Sequence, residues 1–138
     1  MRSGGRLVGV GVDLISWKRV ERFLAEHSRD RLKRILTPSE EASFQKNPYP
    51  AQFFARSFTA KEAYFKALEG SGMSEEFFRN LEIREEGKDR FFIRRRGSLP
   101  APSAEGQFFE TPDGLGARVF VWRSKEKGKH GLDLAGRR

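Results

Sequence analysis

The chain has 138 residues, enough for one hydrophobic core and short of two. Lys and Arg total 27 against 19 Asp and Glu, a net charge of +8 that favours an anionic partner: nucleic acid, a phosphorylated ligand, an acidic protein or a membrane surface. The absence of cysteine excludes disulfides, thiol nucleophiles and thiolate metal sites, and His27 and His130 alone make a poor basis for a zinc enzyme. Thirteen Phe in short clusters supply burial, so a folded, highly charged domain is expected. No apolar run approaches the ~20 residues that span a bilayer. The stretch after Met1-Arg2-Ser3-Gly4-Gly5-Arg6 is too brief and Gly-interrupted for a secretory signal, so a cytoplasmic protein is expected.

In chain order, Leu7 to Val12 reads as a short buried strand stopped by Asp13. Ser16 is placed to cap a helix whose apolar positions, Trp17, Val20, Phe23 and Leu24, recur at helical spacing, with Lys18, Arg19 and Arg22 on its polar side. Arg31 to Leu36 suggests another helical turn. Thr37-Pro38-Ser39-Glu40 combines a cap, a first-turn proline and a third-position Glu, the start of a helix that ends before Asn47-Pro48-Tyr49-Pro50. The longest helix is predicted from about Ala51 to Glu69, with Gly70-Ser71-Gly72 as its stop. The period then changes. Leu81 to Ile93 reads as a hairpin turning at Glu86-Gly87-Lys88-Asp89, Gly97 to Gly106 as loop, and Phe108 to Trp122 as a second hairpin turning at Pro112-Asp113-Gly114. Residues 1–123 are expected to form a single α+β domain, with 124–138 a basic, flexible tail.

On a helical wheel, Phe54, Phe58, Phe65 and Leu68 form an apolar stripe and Glu62 borders it, about 40° from Phe58. A carboxylate beside an aromatic stripe is costly to desolvate unless a cation compensates it. Lys66, one turn on, makes an ordinary i,i+4 partner, and taken alone that pair reads as structural. Asp13 at the end of a strand adds a second carboxylate. Two carboxylates brought together repel unless they share a proton or hold a divalent cation, and hard oxygen ligands without a suitable His or Cys point to Mg²⁺, with Mn²⁺ as its substitute. Mg²⁺ normally completes its shell with substrate phosphate, and a lysine one turn away would offset the phosphate charge. The residues thus point to Mg²⁺-assisted phosphoryl or pyrophosphate-ester transfer, with Asp13, Glu62 and Lys66 as the catalytic set.

These residues resemble a known family. Gly9-Val10-Gly11-Val12-Asp13-Leu14-Ile15, with Arg19 six residues after the Asp, is similar to the N-terminal signature of holo-acyl-carrier-protein synthases. Arg34-Ile35-Leu36-Thr37 through Glu40 resembles that family's Arg-Ile-Phe-Thr…Glu segment. Phe58-Thr59-Ala60-Lys61-Glu62-Ala63-Tyr64-Phe65-Lys66-Ala67-Leu68, followed by Gly70-Ser71-Gly72, resembles its Phe-Ala-Ala-Lys-Glu-Ala…Lys-Ala-Leu-Gly-Thr-Gly block. The resemblance implies a 4′-phosphopantetheinyl transferase-like fold with the long helix packed on an antiparallel sheet. It implies transfer of 4′-phosphopantetheine from coenzyme A to a serine of an acyl carrier protein, with release of adenosine 3′,5′-bisphosphate, in the service of fatty acid or related biosynthesis. Carried over, Asp13 and Glu62 would ligate Mg²⁺ and Lys66 would meet phosphate. Lys61, Ser71 and Gly72 would lie at coenzyme A, while Lys18, Arg19 and Arg22 would face the acidic carrier protein. The family precedent is a trimer with sites between subunits.

The sequence departs from that pattern late in the chain. The family's Ser-x-Ser-His before its last strand has no counterpart in Phe108-Phe109-Glu110-Thr111-Pro112-Asp113-Gly114, and the helix between its two late strands is missing. The arginine before the motif Phe is replaced by Ser57, with Arg56 one position earlier. Arg94, Arg95 and Arg96 are candidate phosphate contacts in compensation, or else the basic residues of a strand edge. Two alternatives stand beside the enzyme: a carrier-protein-binding homologue with weakened or lost turnover, and a basic nucleic-acid binder. No nucleic-acid motif supports the second, and neither nucleic acid nor membrane is expected as a partner.

Overall fold

Apolar residues alternating with glycine at the front of the chain, two Phe-rich hairpins at the back and a small-residue helix between them set the architecture. The computed structural model describes residues 5–26, 28–68, 78–96 and 103–124. The elements in order are β1 (Gly5–Ser16), α1 (Trp17–Glu26), α2 (Arg29–Ile35), α3 (Pro38–Lys46), α4 (Pro50–Ala67), β2 (Leu81–Glu86), β3 (Arg90–Arg95), β4 (Ser103–Thr111) and β5 (Gly114–Ser124). The strands pair antiparallel in one five-stranded sheet of order β1-β5-β4-β3-β2, so the first strand lies beside the last. This is the α+β arrangement anticipated, with α4 packed mainly on β1 and β5.

Local chemistry explains most boundaries. Ser16 Oγ accepts from the Arg19 N–H at 3.1 Å and caps α1, while the Trp17 N–H donates to the Asp113 carbonyl at 2.9 Å, tying α1 to the β4–β5 turn. Thr37 forms a full capping box with Glu40 at the start of α3. Gly87 takes φ +75° in the β2–β3 turn, where a side chain is disfavoured.

Four boundaries differ from expectation. β1 does not stop at Asp13 but runs on through Ser16, because β5 continues to pair with it as far as Gly114. Gly106 belongs to β4 rather than a loop, and a Cβ there would meet the Phe91 ring at 2.4 Å. β3 runs on past Ile93 to Arg95, where Arg94 and Arg95 pair with Glu82 and Leu81 of β2, while its described pairing with β4 covers Arg90 to Ile93. Of the expected phenylalanine stripe only Phe54 is fully buried, and Ala55, Ala60, Ala63 and Ala67 with Tyr64 make up most of the buried face of α4. Phe54 and Phe58 instead lie to the α1 side: Phe54 stacks on Phe23 at 4.9 Å and on Phe58 at 5.6 Å.

Small residues let α4 approach the sheet at backbone distance. A Cβ built on Gly9 would lie 2.0 Å from the Ala67 carbonyl oxygen, and one on Gly11 would lie 2.0 Å from that of Ala63. Gly11→Ala is therefore expected to cost about 3 kcal/mol, the upper part of the overpacking range, since backbone cannot move aside as a side chain can. Gly87→Ala, whose Cβ would meet open space, is expected to cost only about 1 kcal/mol from its backbone conformation. Urea midpoints at unchanged slope would show the difference, and equal midpoints would refute the packing account.

Candidate active site

With β1 and α4 this close, the next inward-facing residue of β1 after Gly11 is Asp13, and it meets the flank of α4 that carries Glu62 and Lys66. Lys66 Nζ donates to Asp13 Oδ1 at 2.8 Å. The i,i+4 pairing of Lys66 with Glu62 expected from the helix alone thus gives way to a bond across elements, Lys66 to Asp13. Glu62 is half-buried beside it. Burial pushes the Glu62 carboxyl above its ordinary value and the Asp13 charge pushes it further, while Lys66 and Arg19 hold it back. Two carboxylates and two cations from β1, α4 and α1 therefore share one electrostatic neighbourhood at the open edge of the sheet.

Beside them, a cavity of about 210 Å³ opens between α1 and α4, floored by Phe23, Phe54 and Phe58 and rimmed by Arg19, Arg22 and Glu26. Lys18, Arg19 and Arg22 are all exposed on α1. A larger cavity of about 500 Å³, lined by Trp17, Tyr49, Gln52 and Glu110 among others, lies at the other end of α4 and includes none of the carboxylate pair.

Lys61 requires a correction. It is fully buried, its Nζ donating to the Ile35 carbonyl at 2.7 Å and to Glu40 Oε1 at 2.6 Å. Burial lowers its pKa, with Glu40 opposing the shift. An ammonium held inside the protein in this way does not reach coenzyme A. The sequence marks Glu40 as a capping residue and as the end of the family-like Arg34–Glu40 segment, and no local signal shows its second partner, 21 positions away. Ser71 and Gly72 lie outside the described residues, as do His27, His130 and residues 125–138 of the expected tail. Arg56 donates to Glu85 at 3.0 and 3.2 Å and to the Lys88 carbonyl at 2.9 Å, with its guanidinium over the Phe108 ring.

A family model of the 4′-phosphopantetheinyl transferase superfamily matches residues 9–113. The chain belongs to this family. Among its relatives, the holo-[acyl-carrier-protein] synthase of Geobacillus kaustophilus is 44% identical over 96 residues, covering 66% of this chain and 73% of that one. The enzyme of the same name from Ruthia magnifica is 39% identical over 93 residues, covering 65% and 72%. Among solved structures, holo-[acyl-carrier-protein] synthase from Neisseria meningitidis superposes with a TM-score of 0.71 at 25% identity, covering 84% of this chain and 98% of that one. The Bacillus anthracis enzyme in complex with CoA (3′,5′-ADP) gives 0.69 at 26% identity, covering 86% and 98%. Among the described residues of this transferase no helix is long and apolar enough to cross a membrane, and no group of three His, Cys, Asp or Glu is gathered.

The charges at the site make a prediction for the metal-free protein. Because the Glu62 pKa is raised on folding, the folded state holds more protons than the unfolded one just above the ordinary Glu value of about 4.3, and stability falls as pH rises through that window. Asp13→Asn is expected to bring the Glu62 titration down and Lys66→Met to send it up, as read from ¹³C shifts of the labelled carboxyl. Shifts of the opposite sign would contradict the arrangement.

Proposed function

We propose that this chain transfers the 4′-phosphopantetheine group of coenzyme A to a serine of an apo acyl carrier protein. The observation that carries the reading is the meeting of Asp13, Glu62 and Lys66 where β1 crosses α4. The serine oxygen forms a bond to the phosphorus that bears pantetheine. The bond from that phosphorus to the bridging oxygen of the pyrophosphate breaks, and adenosine 3′,5′-bisphosphate leaves with the electron pair.

The donor set fits Mg²⁺, or Mn²⁺ in its place: two carboxylates, no soft ligand, and positions left for phosphate oxygens. Asp13 and Glu62 would hold the ion, which when bound neutralises pyrophosphate charge. Lys66, half-exposed and paired with Asp13, would offset the charge that grows on the leaving oxygen. The serine proton would pass to Glu62 or to a water at the site. Arg19, with Lys18 and Arg22, offers the acidic carrier a basic approach that guides the serine towards the pair. A cytoplasmic setting goes with substrates of this kind.

The same reading carries assembly into a trimer with it. Leu7, Val8, Val10, Val12 and Leu14 of β1 are between 41% and 57% exposed, an apolar strip on an edge strand. A second copy of this chain is the natural cover for such a strip, which in a lone molecule would be an aggregation liability.

Two outcomes are expected. Incubated with coenzyme A, Mg²⁺ and an apo carrier, the protein adds the phosphopantetheine mass, and Glu62→Gln lowers the rate by on the order of 10² or more. Absence of transfer to any carrier tried, with carrier binding indifferent to Glu62→Gln, would instead indicate a binding module. Val12→Glu is expected to convert a trimer to monomer in sedimentation, and a monomeric wild-type protein would dismiss the assembly.

A further inference from the structure

Lys61 precedes Glu62 directly, yet it takes no part in the chemistry proposed for its neighbour. Its ammonium is wholly enclosed. It satisfies the carbonyl of Ile35, at the end of α2, and one oxygen of Glu40, at the start of α3. The same carboxylate accepts from the Thr37 N–H at 3.0 Å and, through its other oxygen, from the Ile83 N–H of β2 at 2.8 Å. One ion pair therefore joins α2, α3, α4 and β2.

A buried ion pair is a poor device for stability alone, because desolvating both charges offsets most of their attraction. It is a good device for specifying a unique arrangement. The backbone groups around it are of fixed kinds: a carbonyl that needs a donor on α4, and two N–H groups that need an acceptor from α3. Exchanging the charges would leave all three unmatched. The pair thus accepts one rotational setting of α4.

That setting matters to the site. On α4, Glu62 and Lys66 lie about 100° and 140° round from Lys61. A rotation of about 20° would carry a side chain some 5–6 Å from the axis through about 2 Å. Displacements near 1 Å already cost large factors in rate. Gly9 and Gly11 hold α4 close to β1, but a smooth contact of small residues limits distance better than it limits rotation.

We propose that Lys61 and Glu40 are positioning residues, an internal clamp that sets the rotation of α4 so that Glu62 and Lys66 face Asp13. The inference rests on the transfer reading above for its kinetic consequence, and on geometry alone for its structural one. The ion pair holds the helix; the helix presents the carboxylate.

The test uses Glu40→Gln, which keeps the side chain's size and one acceptor, with Lys61→Met as the harsher variant. Thr37→Val is the control, since it removes the hydroxyl that caps α3 and leaves the Lys61–Glu40 bond in place. Each is assayed well below its melting temperature, with folding checked by near-ultraviolet dichroism. Glu40→Gln is expected to lower kcat by about 10-fold or more with KM for coenzyme A and carrier within about twofold of wild type. Thr37→Val is expected to lose stability and keep kcat. Crystal structures of wild type and Glu40→Gln supply a readout independent of turnover: the variant is expected to lose the Asp13–Lys66 contact through rotation of α4. Full kcat in folded Glu40→Gln, an equal kcat loss in Thr37→Val, or an unmoved α4 would overturn the clamp. If wild type itself transfers nothing, the transfer reading fails, and the position of α4 in the two crystals still decides the clamp.

Discussion

The structure depends on the contact between two backbones. Where β1 passes under α4, Gly9 and Gly11 meet the carbonyls of Ala67 and Ala63 with no room for a side chain between them. Everything chemical follows from that proximity. Two residues beyond Gly11, the strand's alternation turns Asp13 to the same side, and at this spacing a lysine from the helix reaches it. A strand carrying larger residues would hold the helix at the usual distance and leave Asp13 and Glu62 as two unrelated surface acids. The glycines are thus the condition for a site in which strand and helix each supply a carboxylate.

Bringing charge together this way creates a tension that the protein only partly resolves. Asp13 and Glu62 face Lys66 and Arg19, so the neighbourhood is close to neutral without a ligand. The balance is incomplete at Glu62, which burial and Asp13 push towards its protonated form. An arriving pyrophosphate would add negative charge that Lys66 and Arg19, already engaged with the carboxylates, cannot balance alone. A divalent cation, if bound as proposed, would settle both problems at once: it would hold Glu62 ionised and leave Lys66 available to phosphate. Arg19 belongs to this inner balance, while Lys18 and Arg22, exposed on α1, extend the basic surface beyond it.

Period, caps and turns made most of the fold legible in the sequence, because they are local. The Thr37–Glu40 box, the Ser16 cap and both hairpins occur where their residue types require them. The errors have a common cause in long-range contacts. Asp13 reads as the end of a strand because Asp is uncommon in strands, and only the pairing with β5 shows that the strand continues. The aromatics of α4 read as its core face because they are the largest apolar residues. The strand beneath selects small residues instead, and Phe54 stacks on Phe23 of α1. Gly106 reads as loop because the Phe91 ring that needs its vacancy lies on another strand. Of the candidate site, the spacing and the family resemblance single out Asp13, Glu62 and Lys66, and the structure brings these three together. Lys61 was misplaced for the same long-range reason: a lysine on a helix reads as exposed, and its buried acceptors come from segments distant in the sequence.

The departures from the family pattern acquire a physical meaning at Arg56 and Ser57. In the resembling family an arginine stands immediately before the motif Phe. Here that position is Ser57, which is buried, and the arginine stands one residue earlier. One residue on a helix is about 100° of rotation. The shift takes the guanidinium to Glu85 and the Lys88 carbonyl of the β2–β3 hairpin and over the Phe108 ring of β4. A guanidinium with two oxygen partners and an aromatic face is not held ready for a phosphate. The carboxylate pair and Lys66 are thus built from the same positions as in the family pattern, while the arginine has been turned to structural use. Under the proposed transfer the phosphate charge of coenzyme A would fall to other cations, of which Lys66, bonded to Asp13, is the one that α4 itself supplies.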